Sequence, residues 1–405
     1  MNYDIIIVGA GPAGLSFACS LKNSGIRIAI IEKQALEFLC NPAFDGRDIA
    51  LTHQSIRILK ELGVWKRIPD KSISFIREAK VMDGISPYSL NFDTRGESVD
   101  ALGYLVSNHE IRKALIDEAK QIDRLDIVAS TTVTSINTSE KVATVILEDG
   151  QELNTSLIVA ADSRFSETRR MVGIPASMYD FGRVCIVCRM EHDQPHDNIA
   201  YECFHYGRTL AVLPLSGKQS SIVVTALMSQ RDSIMDMTEA QFNQDICTRF
   251  NGRFGNMRLV TERFAYPLVG VHANKLYTIR FALIGDAAVG MHPVTAHGFN
   301  LGLSGQEILA QEVINAIDKA TDIGDSRLLK RFESRHMRST KPIYHGTNEI
   351  VKMFTDDRVP AKLLRKIALR LANNLPPVKR FISRRLTESQ SRHGMLPPFL
   401  TRGAP

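Results

Sequence analysis

The run Tyr3 to Val8, "YDIIIV", leads straight into "GAGPAG", Gly9 to Gly14, and few patterns leave a chain less freedom. A β-branched strand enters a turn with glycine at Gly9, Gly11 and Gly14, after which apolar Leu15, Phe17, Ala18 and Leu21 recur at helical spacing. Gly25 is placed to stop that helix, Ile28 to Ile31 forms a second buried strand, and Glu32 closes it. The spacing predicts a βαβ unit.

Glycines at these positions let the backbone approach a pyrophosphate, while the helix start offers unpaired N–H groups and the positive end of its dipole. Glu32 stands 18 residues beyond Gly14, where a carboxylate accepts hydrogen bonds from the ribose hydroxyls of an adenosine. The glycine spacing alone also fits a Gly-rich turn in another α/β protein; the strand, turn, helix, strand and acid together point to a dinucleotide. FAD and NAD share the ADP half that such a unit holds, so this motif leaves both open.

Far downstream, "FALIGDAAVGMHPVTAHGFNLG" repeats the theme: a buried strand, Phe281 to Ile284, ends at Gly285 and Asp286, and Gly298 and Asn300 open a helix running to about Lys319. An isolated turn of this kind reads as a capped strand-to-helix connection. Beside the first unit it reads as the far end of the same cofactor site, with the helix start facing a flavin edge that gains negative charge on reduction and Asp286 accepting from the ribityl chain.

Between the two turns, "IALTHQSIRILKELGVW" from Ile49 predicts a helix with a stripe through Ile56, Leu59 and Leu62 and a stop at Gly63, and Ile111 to Ile122 predicts another. From about Arg183 to Ala226 the period shortens to alternating β-rich runs separated by turn formers, predicting an antiparallel sheet. Six cysteines without regular spacing suit a reducing compartment, and "CIVC", Cys185 to Cys188, reads as buried strand, with no second pair at zinc spacing.

The chain resembles the flavoprotein aromatic hydroxylases of the para-hydroxybenzoate hydroxylase superfamily, most closely the ubiquinone-biosynthesis hydroxylases. The resemblance runs from Asn2 to about Leu386, through "VGAGPAGLSFA", "RDIALTHQSIRILKELGVW", "GYLVSNHEIRKAL", "ADSRFSETRR", "LAVLPL", "FALIGDAA" and "HPVTAHGFNLGL". It implies an α/β fold, α+β overall: a discontinuous Rossmann-like FAD-binding domain (1–70, 105–180 and 275–340), an inserted antiparallel β-sheet substrate domain (71–104 and 181–274), and a helical basic C-terminal region (341–405). Carried over by motif, Gly9, Gly11, Gly14 and Glu32 hold the ADP portion, Arg47 reaches the pyrophosphate, Asn108 contacts the cofactor and Val133 lies near the adenine. Asp162 opens an Asp-Gly element, and Asp286, Gly298, Phe299 and Asn300 line the ribityl and isoalloxazine end. Without the resemblance, Arg47 reads as a surface ion pair, Asn108 as a helix cap and Val133 as strand core.

The match has departures. Ser163 replaces the glycine expected after Asp162, so a different turn is expected there. Ala296-His297-Gly298 stands where the family has "GQG", which makes His297, together with His292 before Pro293, a candidate for the flavin face or an ordinary helix-start residue. "AVGMHPVTAHGFNLGL" looks like the branch near the 5-demethoxyubiquinol hydroxylases.

The implied reaction is ring hydroxylation of a polyprenylated ubiquinone precursor through a flavin C4a-hydroperoxide, with FAD tightly bound, NAD(P)H as a transient reductant and O2 as co-substrate. No residue is singled out as the catalytic base, and no metal site is expected. Three other readings stand: a hydroxylase of a small soluble phenol, a flavin-dependent isoprenoid reductase, and a non-catalytic prenyl-lipid-binding protein on the same fold.

Charge locates a further expectation. The segment 341–405 carries 13 Lys/Arg against 4 Asp/Glu, net +9, which leaves −3 for the rest of a chain whose total is +6. Such asymmetry argues against a nucleic-acid groove across the body. Within that segment Leu363, Ile367 and Leu371 alternate with Lys362, Arg365, Lys366 and Arg370, as in a helix lying on anionic lipid or one packed on the body with a basic outer face. With no signal-like or bilayer-spanning run, the expected location is the cytoplasm, either free or peripheral on the inner face of the membrane, alone or within a ubiquinone-biosynthesis complex.

Overall fold

The computed structural model describes residues 2–83, 89–94, 99–205, 207–291 and 297–355. Its first strand, Asn2–Val8, lies in parallel between Ile28–Glu32 and Glu152–Ala160, with Ile5, Ile6 and Ile7 fully buried. Burial on both faces removes any need for alternation, hence the unbroken Ile/Val run. Helix Pro12–Ser20 follows, with proline at its start, where a missing N–H costs nothing. It ends before Gly25: Leu21 N–H bonds Ala18 O at 3.1 Å in a tightening turn, and Gly25, at φ +74°, redirects the chain toward the next strand.

This first sheet runs Tyr277–Thr278, Phe281–Leu283, Glu152–Ala160, Asn2–Val8, Ile28–Glu32, Leu125–Ala129, and a hairpin, Val133–Thr138 with Ala143–Leu147, pairs back onto Glu152–Ala160. Helix His297–Asp318 packs against Pro12–Ser20 and against Ser326–Thr355, which carries Pro342 inside it. The predicted helix from Ile49 begins later. Asp48–Leu51 is instead a strand, pairing antiparallel with Gly103–Ser107, and Thr52, whose side chain accepts from Ser55 N–H, starts helix His53–Glu61.

The second large sheet is nine-stranded and mixed: Val289–Gly290, Phe264–Ala273, Ala176–His192, Gln219–Leu227, Arg208–Pro214, Ile199–His205, Glu78–Asp83 and Ser89–Asp93 in order, with Met257–Leu259 at the side. Most pairs are antiparallel as expected, but Glu78–Asp83 joins Ile199–His205 in parallel, because it arrives from a separate part of the chain. Alternation divides this sheet into two faces. Val184, Ile186 and Cys188 pack under helix Glu239–Arg249, whereas Cys185 and Val187 point the other way with Phe264 and Tyr266. Cys185 and Cys188 therefore lie on opposite faces, and burial pushes both thiols up to about 12.

The inner face of the nine-stranded sheet is pinned to the rest of the molecule by one buried ion pair. Arg189 bonds Asp48 at 2.5 Å and also donates to Ser107, with the Asp48 side chain at 0% exposure and the guanidinium over the Phe44 ring. Removing one partner of a buried pair strands the other charge. Arg189→Met is expected to lower unfolding free energy by about 3 kcal/mol in urea titration, and adding Asp48→Asn to recover part of that loss as coupling energy.

Candidate active site

The three glycines of the first turn serve different ends. A Cβ on Gly9, which sits at φ +106°, would lie 2.6 Å from Ala161 O, and one on Gly14 would lie 2.0 Å from Gly9 O. Around Gly11 nothing lies within 4 Å of such an atom. Gly9 and Gly14 thus let the chain pack on itself, while Gly11 leaves an open cradle at the start of a helix whose first turn has no side-chain cap. Glu32 stands beside it: its carboxylate accepts from Ala10 N–H at 2.7 Å and Gln34 N–H at 2.9 Å, fixing both oxygens. Thr131 N–H bonds Glu32 O at 3.2 Å, which brings buried Val133 to the same edge.

The second turn is built onto the first. Strand Phe281–Leu283 runs parallel to Ile158–Ala160, and Gly285, at φ +59°, sits so close to the first helix that its Cβ would lie 2.6 Å from Ala13 Cβ. Asp286 accepts from Arg164 at 2.9 Å, and buried Arg169 donates to Ala287 O at 2.9 Å and Arg164 O at 3.3 Å. Burial holds the Arg169 pKa below its usual value against the pull of Asp162. These two arginines, both in "ADSRFSETRR", tie that motif to the second turn; the sequence reading passed over them although the motif contains them.

Ser166 caps the short helix Glu167–Met171, accepting from Arg169 N–H, and Asp162 accepts from Thr168 N–H at 3.1 Å and Thr168 Oγ1 at 2.9 Å, while its Oδ1 is buried with no partner among the described residues. Ser163, after Asp162, has a left-handed backbone. It takes φ +78°, the conformation glycine would adopt, held by Ser166 N–H bonding back to Ser163 O at 3.1 Å.

Asn300 lies in the first turn of the second-turn helix. Its side chain turns inward: Oδ1 accepts from Thr52 N–H at 3.1 Å and Ser55 Oγ at 2.6 Å, and Nδ2 donates to Ala50 O at 2.9 Å. The carboxamide is thereby committed to holding the helix start against the strand that ends at Leu51, leaving the main chain to face a ligand. Gly298 has nothing within 4 Å of an added Cβ, Phe299 packs against the core, and His297 opens the helix. His292 and Pro293 lie outside the described residues.

Arg47 and Asn108 meet at one carboxylate. Asp45 Oδ2 accepts from Arg47 at 2.6 Å and Asn108 Nδ2 at 2.8 Å, and the Arg47 guanidinium lies over Tyr266. Burial pushes Asp45 up, but Arg47 and Asn108 outweigh it and hold its pKa below the usual range. Asn108 is therefore no helix cap. Asp45 carried no sequence signal, since only the folded chain brings it between them.

Two clefts open on the outer side of the three-stranded sheet Asp48–Leu51, Gly103–Ser107, Ile73–Ile76. One, of about 320 Å³, is walled by Ile56, Trp65, Phe75 and Tyr104; the other, of about 450 Å³, lies between Phe75 and His196. Neither is lined by a residue of the glycine turns.

A family of FAD binding domains matches residues 2–342. The chain is 48% identical over 391 residues to the ubiquinone hydroxylase UbiM of Neisseria meningitidis, covering 96% of this chain and 85% of that protein. It is 30% identical to the ubiquinone hydroxylase UbiL of Rhodospirillum rubrum, covering 99% and 93%. Among solved structures it superposes on the p-nitrophenol 4-monooxygenase PnpA of Pseudomonas putida with a TM-score of 0.77 at 16% identity, over 96% of this chain and 100% of that one, a likeness of fold.

The glycines separate binding from folding. Gly11→Ala is expected to cost less than about 1 kcal/mol of stability yet weaken flavin binding at least about tenfold. Gly14→Ala, which would press into a carbonyl, is expected to cost about 3 kcal/mol. Chemical denaturation of flavin-free protein and fluorescence titration with FAD read the two effects separately.

Proposed function

Because the chain belongs to the FAD-binding-domain family and to its ubiquinone hydroxylases, we propose that it is an FAD-dependent monooxygenase that hydroxylates the ring of a polyprenylated ubiquinone precursor. It takes electrons from NAD(P)H and oxygen from O2. The observation that supports this reading is the contact between the two turns: Gly285 lies against Ala13, and at Gly11 and Gly298, each at a helix start, nothing among the described residues lies within 4 Å of an added Cβ.

The residues present fit the cofactor. The first-turn N–H groups and Arg47 would face the pyrophosphate, Glu32 the adenosine ribose, and Val133 the adenine. The orphaned Asp162 Oδ1 and the carboxylate of Asp286 would accept from cofactor hydroxyls or water, and the main chain at Gly298 to Asn300 would face the ring. When bound, FAD supplies two-electron transfer from the nicotinamide and activation of O2. The protein's part is to bind, orient and keep water out. The inner face of the nine-stranded sheet buries Ala200 and Phe204 against Leu102 and Leu105, with Leu213 and Val81 partly buried at the margin, and this apolar layer is the proposed substrate side.

A prenylated substrate resides in lipid, and the basic tail is the proposed route to it, as a peripheral contact on the inner membrane face. The stretch with Leu363, Ile367 and Arg370 lies outside the described residues, and among those described no helix is long and apolar enough to cross a membrane.

Quinone profiling of a deletion strain tests the main reading. An accumulated precursor, converted by the purified yellow protein with a mass gain of one oxygen, is expected; a colourless protein, or product lacking the added oxygen, would overturn it. For the tail, Arg365→Glu with Lys366→Glu and Arg370→Glu in the full chain is expected to reduce co-sedimentation with anionic vesicles at least about tenfold.

A further inference from the structure

On the inner face of the nine-stranded sheet one acidic residue has no balancing charge among the described residues. In strand Ile199–His205, Tyr201 and Cys203 pack on the outer side, and Ala200 and Phe204 on the inner. Glu202 shares the inner side with them. Its register partners are Ala211 on one neighbouring strand and Val81 on the other. The cluster around it joins Ala200, Phe204 and Leu213 to Leu105 and Ala50. Ala50 in turn accepts from Asn300 at the start of the second-turn helix. Glu202 thus sits in the layer between the sheet and the helix start proposed to face the flavin ring.

Among the described residues Glu202 has neither a cation nor a hydrogen-bond donor as partner, which is rare for a carboxyl held in protein interior. Glu202 itself is half-buried. The titratable groups near it are few. Burial foremost, and then the Glu202 charge, raises the thiols of Cys185 on the inner face and Cys203 behind. Farther along that face stand Tyr266 and the Arg189–Asp48 pair, and Asp83 occupies the register position beside Phe204. Ala50, Leu105 and Ile76 of the facing sheet carry no charge.

We propose that Glu202 is the catalytic base of the hydroxylation, accepting the proton of the substrate's ring hydroxyl. The O–H bond breaks, the proton passes to a Glu202 oxygen, and the electron pair left on the phenolate raises electron density at the ring carbons ortho and para to it. One oxygen atom of O2 bonds to the ring carbon; the other leaves at the level of hydroxide and takes up the proton that this carbon releases, departing as water, so the ring regains aromaticity, and Glu202 returns its own proton to the ring oxygen. The base is regenerated, and the only oxidant and reductant are O2 and NAD(P)H. Burial pushes this carboxyl from 4.5 up to about 8, between an ordinary carboxylate and a phenol, where a base is both available and strong enough.

The sign of the stability effect follows. The folded pKa lies above the unfolded one, so an unpaired Glu202 costs no stability below about 4.5, costs progressively more as pH rises, and costs the full amount above about 8. Replacing it with a neutral side chain should therefore leave the thermal midpoint equal or higher at alkaline pH. A merely structural carboxyl would behave the other way.

The proposal rests on the hydroxylase reading, and the test separates the two. Holoenzyme, Glu202→Gln and Glu202→Asp are compared with a short-chain 2-prenylphenol as probe. In the wild type, product formation rises with pH through about 8; in Glu202→Gln it falls about 100-fold and loses that dependence, with hydrogen peroxide replacing product. Glu202→Asp recovers part of the rate and the pH profile. Without NAD(P)H, the probe's dissociation constant changes across the same pH range in the wild type and stays flat in Glu202→Gln, while bound flavin per chain is unchanged. A Glu202→Gln variant with wild-type pH profile and coupling overturns the assignment alone. A wild type that makes no hydroxylated product overturns the hydroxylase reading, and the assignment falls with it.

Discussion

The close seating of Gly285 on the first turn of helix Pro12–Ser20 is the contact on which the rest depends. An added Cβ there would come within 2.6 Å of Ala13 Cβ, so only glycine lets the downstream strand end touch the upstream helix start. Everything that gives the second turn its place follows from that approach. The strand Phe281–Leu283 enters the same sheet, Arg169 reaches Ala287 O, and the helix from His297 leaves along the first helix with Gly302 near Gly285. Backbones that meet this closely leave their N–H groups, rather than side chains, to face a ligand.

Around this contact, charges are used as fasteners. Arg189 and Asp48 hold the nine-stranded sheet to the three-stranded one, and Arg164 holds Asp286 and Val269 O. Asp45 gathers Arg47 and Asn108. Each of these carboxylates is paired, as buried charges must be. Glu202 is different, because its neighbours are alanine, valine and phenylalanine, and a group left unpaired inside a protein is retained at a cost to stability that function can explain.

Much of the fold was legible because it rests on local periodicity. The unbroken Ile5 to Ile7 run, the helical spacing after Gly14 and the alternation from Arg183 onward each report which faces are buried, and burial is what a period records. The misplacements came where a neighbour decided. "DIAL" became a strand because Gly103–Ser107 was there to pair with it, and the first helix ended before Gly25 because a tight turn at Leu21 intervened. Ser163 takes a left-handed conformation held by hydrogen bonds around Asp162, which no residue type announces.

By itself the sequence determined the βαβ unit, the second glycine turn and the acid at Glu32, since chain-local sterics force those residue types at those spacings. Only the tertiary structure decided that Asn300 points inward, that Asp45 joins Arg47 to Asn108, and that Glu202 lies on an apolar face without a partner among the described residues. Those are statements about residues up to some 250 positions apart. A side chain's partners are set by packing of distant segments, and its chemistry follows from them.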